Sequence, residues 1–255
     1  RVLKYGLTSF YVDGLEVISG NATYIPLDNM LVKNATGPNL KNIFIGSEGI
    51  FGLTVSCRMK LINQPLETNV VLIGFDKLAS LDEMLKLIFT FDIEAIEFFT
   101  MNAVLKVKEE FDQINIEHLK NNYYLIIELS TQDGFMKALE KIYKDKLAHE
   151  VIVSSNENQK HSIWQYRLLI SESISRRNPI KLDIAVPVKN IIKLINELEF
   201  FFKKDSADNL VLFGHLGDGN LHVNILPDKN NFKYATRIIP LKWLKEKGNV
   251  STRKR

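Results

Sequence analysis

Asn69-Val70-Val71-Leu72-Ile73-Gly74-Phe75 is a run of apolar and β-branched residues that reads as a buried strand. The segments on its C-terminal side decide the fold. Leu78 to Phe91 carries apolar residues at helical spacing, Ala95 to Phe99 is a second short apolar run, and a charged helical stretch comes next. Tyr124 to Leu129 reads as another buried strand, Phe135 to Tyr143 as a helix and Glu150 to Val153 as a strand. Strands alternating with helices imply an α/β or α+β layer. Further on, Gln159 to Ile174 reads as one helix and Ile180 to Val186 alternates like a strand. Pro187 suits the first turn of a helix whose Val188, Ile191, Ile192, Leu194, Ile195 and Leu198 form a broad apolar stripe.

Upstream the texture differs. Residues 1 to 66 hold short apolar runs, such as Leu15-Glu16-Val17-Ile18 and Ile43-Phe44-Ile45, separated by glycines. These read as short strands and tight turns, with a boundary near Asn63-Gln64-Pro65. The chain opens on Arg1 and already reads as structure there, so sequence is expected to precede it.

The whole chain is 45% hydrophobic and 25% charged, the mix of a globular protein with a core. Its net charge of +3 is spread among interleaved acids and bases, so no nucleic-acid partner is expected. The basic end Ser251-Thr252-Arg253-Lys254-Arg255 reads as a solvated tail. Cys57 has no second cysteine to pair with, which fits a reducing cytoplasm or organelle matrix. No apolar run reaches the roughly 18 to 20 residues of a membrane span, and no secretory signal is visible. The glycosylation patterns at Asn21 and Asn34 are therefore expected to go unused.

One stretch carries chemistry. In Gly214-His215-Leu216-Gly217-Asp218-Gly219-Asn220-Leu221-His222-Val223-Asn224, Asp218-Gly219 signals a two-residue hairpin turn. Pairing outward from it sets His215 opposite His222, on one face, with Cβ atoms roughly 4.5–5.5 Å apart. Two imidazoles so placed can hold a divalent metal: Zn²⁺ by default, Mn²⁺ or Fe²⁺ if carboxylates join. A third ligand must come from elsewhere. Asn224 returns to the histidine face by the period of two.

The hairpin, the Ile45-Gly46-Ser47-Glu48-Gly49 run and the Leu15-Glu16-Val17 strand together resemble the FAD-linked 2-hydroxyacid dehydrogenases, from residue 1 to about 228. That family includes enzymes acting on D-2-hydroxyglutarate, D-lactate and glycolate, and Leu216 and Leu221 beside the histidines look most like the hydroxyglutarate branch. The resemblance implies an α+β fold cut short at both ends. Residues 1–66 would be the end of an FAD-binding domain, 67–228 a substrate-capping domain on a ferredoxin-like sheet, and 229–255 a divergent tail. It implies that Gly46, Ser47, Glu48, Gly49 and Gly52 lie against the FAD nucleotide. It implies that Arg167 with Ser171, together with Lys181 and Asn224, hold the substrate, while His215 and His222 hold the metal. The reaction implied is oxidation of a D-2-hydroxy acid to the 2-oxo acid, the metal polarising the hydroxyl and the flavin taking the hydride.

Two parts of the family pattern are missing. The pyrophosphate loop lies upstream of Arg1. Downstream, Arg253 stands where the family has a glutamate ligand, and Lys254 where it has its histidine base, so no catalytic residue is assigned. Leu168 replaces a usual acidic residue. The chain is thus either a dehydrogenase, or an inactive remnant or non-catalytic metal-binding module. The protein partner expected is a second copy or a complementing flavin-domain polypeptide.

Overall fold

A computed structural model of the chain describes residues 1–28, 30–31, 33, 36–63, 67–202 and 209–227. The chain divides into two compact units. The smaller spans Lys4–Pro65 with Val2, and the larger runs from Leu66 onward with Arg1 and Leu3.

Helix α1 (Val2–Tyr5) opens the chain, and the smaller unit holds strands β1 (Val12–Ile18) and β2 (Tyr24–Pro26), helix α2 (Lys41–Phe44) and strand β3 (Leu53–Met59). Its sheet has the antiparallel order β2-β1-β3. Val12, Leu15 and Val17 are buried, packed by Leu27, Phe44 and Ile45. The Ile43-Phe44-Ile45 run is not a strand: its first two residues end α2. Lys41 opens that turn and donates its ammonium to the carbonyls of Val12 and Asp13, at 2.7 and 3.1 Å, which ties the helix to β1. Arg58 bridges Asp13 and Asp28, and its hydrogen bonds hold the Asp28 carboxyl down at about 2.

The larger unit follows the alternation of its sequence. Strand β4 (Thr68–Phe75), helix α3 (Leu78–Ile88), β5 (Ile93–Thr100), α4 (Met101–Glu110), β6 (Tyr123–Ser130), α5 (Phe135–Lys144) and β7 (Glu150–Val153) come first. Helices α6 (Glu157–Leu168) and α7 (Ile170–Ser175), β8 (Ile180–Ala185), α8 (Ile191–Phe202), β9 (Leu210–His215) and β10 (Asn220–Ile225) follow among the described residues. One seven-stranded antiparallel sheet has the order β7-β4-β6-β5-β9-β10-β8. Its β7-β4-β6-β5 half, with α3 and α5 on one face, is the ferredoxin-like arrangement; β9, β10 and β8 extend it past β5.

Helices cover both faces. Alternate residues of β4 show this: Val71, Ile73 and Phe75 pack with α3, α5 and α8, while Val70 and Leu72 pack with α4, α6 and α7. A strand covered on both sides must be apolar at every position, which is why these runs lack alternation. Two expected boundaries move. The helix read over Gln159 to Ile174 is two, broken at Leu169, whose ψ of −12° departs from the helical value of about −42°. Pro187 keeps an extended ψ of 134° and precedes a 3-10 turn, so α8 starts at Ile191.

Candidate functional site

The polar residues of the larger unit gather on the α6–α7 face of the sheet, where β5, β9, β10 and β8 lie side by side. The hairpin is wider than a two-residue turn. Leu216–Asp218 forms a 3-10 turn closed by Gly219 at φ +74°, and the ladder sets Asn220 opposite His215 and Phe213 opposite His222. Leu216 explains the extra length. It is fully buried in the core on the opposite face, which draws the chain inward after His215. The register differs from the expected one by two residues. A shift of two preserves the face of every side chain, so the histidines remain neighbours as a diagonal pair. Their ring centroids are 5.2 Å apart and nearly perpendicular.

Each imidazole is backed by a carboxylate directly across the ladder. Glu97 on β5 opposes His215, with Oε1 at 2.7 Å from Nδ1. Asp183 on β8 opposes His222, with Oδ1 at 3.2 Å from Nδ1, at an angle that leaves this oxygen without a directed hydrogen bond. Burial pushes the His222 ring below the ordinary imidazole range. The nearby Arg167 and His215 add to this and Asp183 opposes it, so the ring is neutral near pH 7.

Arg167 reaches the same strip from the end of α6. It is buried, donates from Nε to Glu97 Oε2 at 2.9 Å, and sets its guanidinium carbon 4.6 Å above the centre of the Phe213 ring. Burial lowers its pKa against the pull of Glu97, yet a guanidinium stays charged throughout the ordinary range. Beside it lies a cavity of about 280 Å³ lined by Ser171, Lys181, Leu182, Asp183, Phe213, His222 and Asn224. Lys181 pairs across the ladder with Asn224 and donates to Ser175 at 3.0 Å. Asn224 is buried and its Nδ2 has no hydrogen-bond partner. Leu168 is exposed to solvent and outside this lining.

Arg167, Ser171, Lys181, Asn224, His215 and His222 are thus neighbours on one surface. Two participants were missed in the sequence. Glu97 sits in a strand whose eight residues are all buried, and an acid in such a run was the available signal. Asp183 lies two residues after Lys181 and shares its face, so period two could have found it. Among the described residues, no three histidine, cysteine or acidic side chains converge to hold a metal. The Arg253 and Lys254 positions lie outside the described residues, as do the rest of the tail and Asn34.

In the smaller unit, Gly46 and Gly49 adopt φ of +80° and +84° with nothing within 4 Å of where a Cβ would stand. Ser47 and Glu48 lie between them, Glu48 at φ +53°. Gly52 differs: a Cβ there would come within 2.7 Å of Val17 Cγ1, so packing against β1 alone demands glycine. Ile50 and Phe51, between Gly49 and Gly52, are exposed.

Comparison with known proteins adds four findings. The family model described as "FAD linked oxidases, C-terminal domain" matches residues 64–240. A D-2-hydroxyglutarate dehydrogenase of Stutzerimonas stutzeri is 32% identical over 91% of this chain and 52% of its own length. The glycolate oxidase subunit GlcD of Bacillus subtilis is 29% identical over 93% of this chain and 52% of its own. Among solved structures, p-cresol methylhydroxylase with substrate bound shares the fold with a TM-score of 0.61 at 12% identity, over 96% of this chain and 57% of that one. The chain therefore spans about half the length of the curated relatives it matches. Among the described residues, no helix is long and apolar enough to cross a membrane.

Proposed function

The chain belongs to the family of FAD linked oxidases, C-terminal domain, and on that footing we propose that it supplies the substrate-holding part of a FAD-dependent oxidoreductase converting a D-2-hydroxy acid to the 2-oxo acid. The observation that carries this reading is the 280 Å³ cavity shared by Ser171, Lys181, His222 and Asn224, with Arg167 over its Phe213 wall. The terminal nitrogens of Arg167 and the Lys181 ammonium suit a carboxylate, the guanidinium through paired hydrogen bonds. Asn224 Nδ2 is a buried donor without a partner, a state that costs about 1–3 kcal/mol. A ligand oxygen would relieve it. D-2-hydroxyglutarate, D-lactate and glycolate all present a carboxylate beside a hydroxyl.

His215 and His222 would hold a divalent ion through Nε2, since Nδ1 of His215 is hydrogen-bonded to Glu97, the usual backing of a metal-bound imidazole, and Nδ1 of His222 lies 3.2 Å from Asp183. Zn²⁺ suits these donors, and its chemistry there would be to lower the pKa of the substrate hydroxyl. Two imidazoles are one short of the three protein ligands of a catalytic zinc, so retention through dialysis against a chelator is expected to be weak. FAD would lie against Gly46–Gly49, where positive φ and open space admit a close neighbour, and would supply the hydride acceptor. Exposed Leu53, Val55 and Met59 lie along β3, which suits a face covered by further polypeptide, a flavin-domain chain or a second copy.

Calorimetric titration with 2-oxoglutarate, D-2-hydroxyglutarate, D-lactate and glycolate, each with and without Zn²⁺, tests the reading. Saturable binding that Lys181→Met weakens is expected; no binding of any of the four overturns it. The second reading, a remnant or non-catalytic metal module, is favoured by the pair of imidazoles without a third donor among the described residues. It predicts colourless protein that reduces no dye. Flavin absorbance with dye reduction abolished by His222→Ala excludes it.

A further inference from the structure

Glu97 is a single buried carboxylate shared by two donors, with one oxygen for each. Oε2 accepts from Arg167 Nε at 2.9 Å, and Oε1 lies 2.7 Å from His215 Nδ1. The side chain is 8% exposed, so water cannot stand in for it. Arg167 spends its inner nitrogen on this contact and keeps both terminal nitrogens. A carboxylate only accepts, so it draws the neutral ring's proton to Nδ1 and leaves the lone pair on Nε2.

We propose that Glu97 is a positioning residue that fixes the His215 tautomer and the Arg167 fork together, linking the cation-holding and carboxylate-holding halves of the site. The inference rests on the function proposed above but concerns how this chain prepares the site before any ligand arrives. A glutamine separates the two jobs. Its amide has one accepting atom and one donating atom. Arg167 has no acceptor, so it keeps the amide oxygen, and the amide nitrogen turns to His215. Nδ1 must then accept, and the ring proton moves to Nε2. The rings stay in place while the lone pair facing a cation is lost. The same exchange of carboxylate for amide yields the wrong histidine tautomer in serine proteases.

The test is the imidazole ¹⁵N–¹H spectrum of the full chain, unliganded, at about pH 8, above the ordinary imidazole range. His215 is assigned by its absence in His215→Asn. The expected result is an Nδ1–H ring in the wild type, Nε2–H in Glu97→Gln and Nδ1–H again in Glu97→Asp. Zn²⁺ affinity, measured against a competing chelator, is expected to fall about 10–100-fold in Glu97→Gln, the usual effect of losing such a partner. An Nε2–H ring in the wild type overturns the proposal even if Glu97→Gln does not fold, and so does an unchanged tautomer in a folded Glu97→Gln. A tautomer switch without Zn²⁺ binding in either protein upholds the role of Glu97 and removes the metal from the proposed function.

Discussion

Arg167 and Glu97 are each buried, and each is the other's counter-charge. Replacing Arg167 by Met leaves a buried carboxylate without its cation. Breaking one side of such a pair costs about 3–5 kcal/mol, whereas replacing both by apolar residues is often neutral or stabilising. Urea denaturation is therefore expected to show a large loss for Arg167→Met and recovery of most of it in Arg167→Met/Glu97→Leu. Carboxylate binding stays lost in both. If the double variant is as unstable as the single, packing of the guanidinium on Phe213, and not charge, is what Arg167 contributes. At this scale the sequence was partly legible. His215 and His222 announce themselves by type and spacing. Glu97 does not, because its meaning comes from a ladder between β5 and β9, residues more than a hundred positions apart. Asp183 is half legible: period two from Lys181 gives its face, but its partner His222 lies on β10.

The hairpin is where local reading and tertiary structure part. Asp218-Gly219 is a good turn signal, and Gly219 does take the positive φ it promises. The pull of buried Leu216 then overrides a two-residue turn, which no local pattern encodes. Because a register error of two keeps every side chain on its face, the expected neighbours survived the wrong pairing. A Cβ at Gly219 would collide with the carbonyl oxygen of Val186, and φ is +74°. Gly219→Ala is expected to cost more than about 1 kcal/mol in urea denaturation and to separate the histidine rings. Helix α8 gives a pH prediction. Glu199 accepts from the Tyr123 hydroxyl at 2.7 Å, but burial, the larger influence, raises its carboxyl above the usual 4.5. The folded state then holds this proton more tightly than the unfolded state. Its contribution to stability is complete below the unfolded value and is lost as pH rises through the folded one. Glu199→Gln is expected to flatten the decline in stability with rising pH just above 4.5; an unchanged slope would assign the decline to other groups.

For the whole molecule, apolar burial separates the two units more sharply than sequence length does. The larger unit has two extensive clusters, one on each face of a seven-stranded sheet. The alternation of strands and helices made this half readable, because burial on both faces writes itself as uninterrupted apolar runs. Among its described residues the smaller unit buries three hydrophobic side chains, Val12, Leu15 and Val17, in a three-stranded sheet, while Leu53, Val55, Met59 and Leu61 are exposed. Its sequence read as turns and short strands for the same reason: few residues there answer to a core, so few follow a period. Stability requires apolar area enough to offset about 1–2 kcal/mol of backbone entropy per ordered residue. A three-residue core does not meet that for some sixty residues. A chain of residues 66–228 is therefore expected to unfold in one cooperative step in urea, with dispersed amide resonances. A chain of residues 1–65 is expected to show coil-like circular dichroism and to aggregate through its exposed strand. Cooperative unfolding of residues 1–65 by themselves would mean that the polar bridge of Arg58 with Asp13 and Asp28, and the Lys41 ties to β1, stabilise this unit far more than exposed ion pairs normally do.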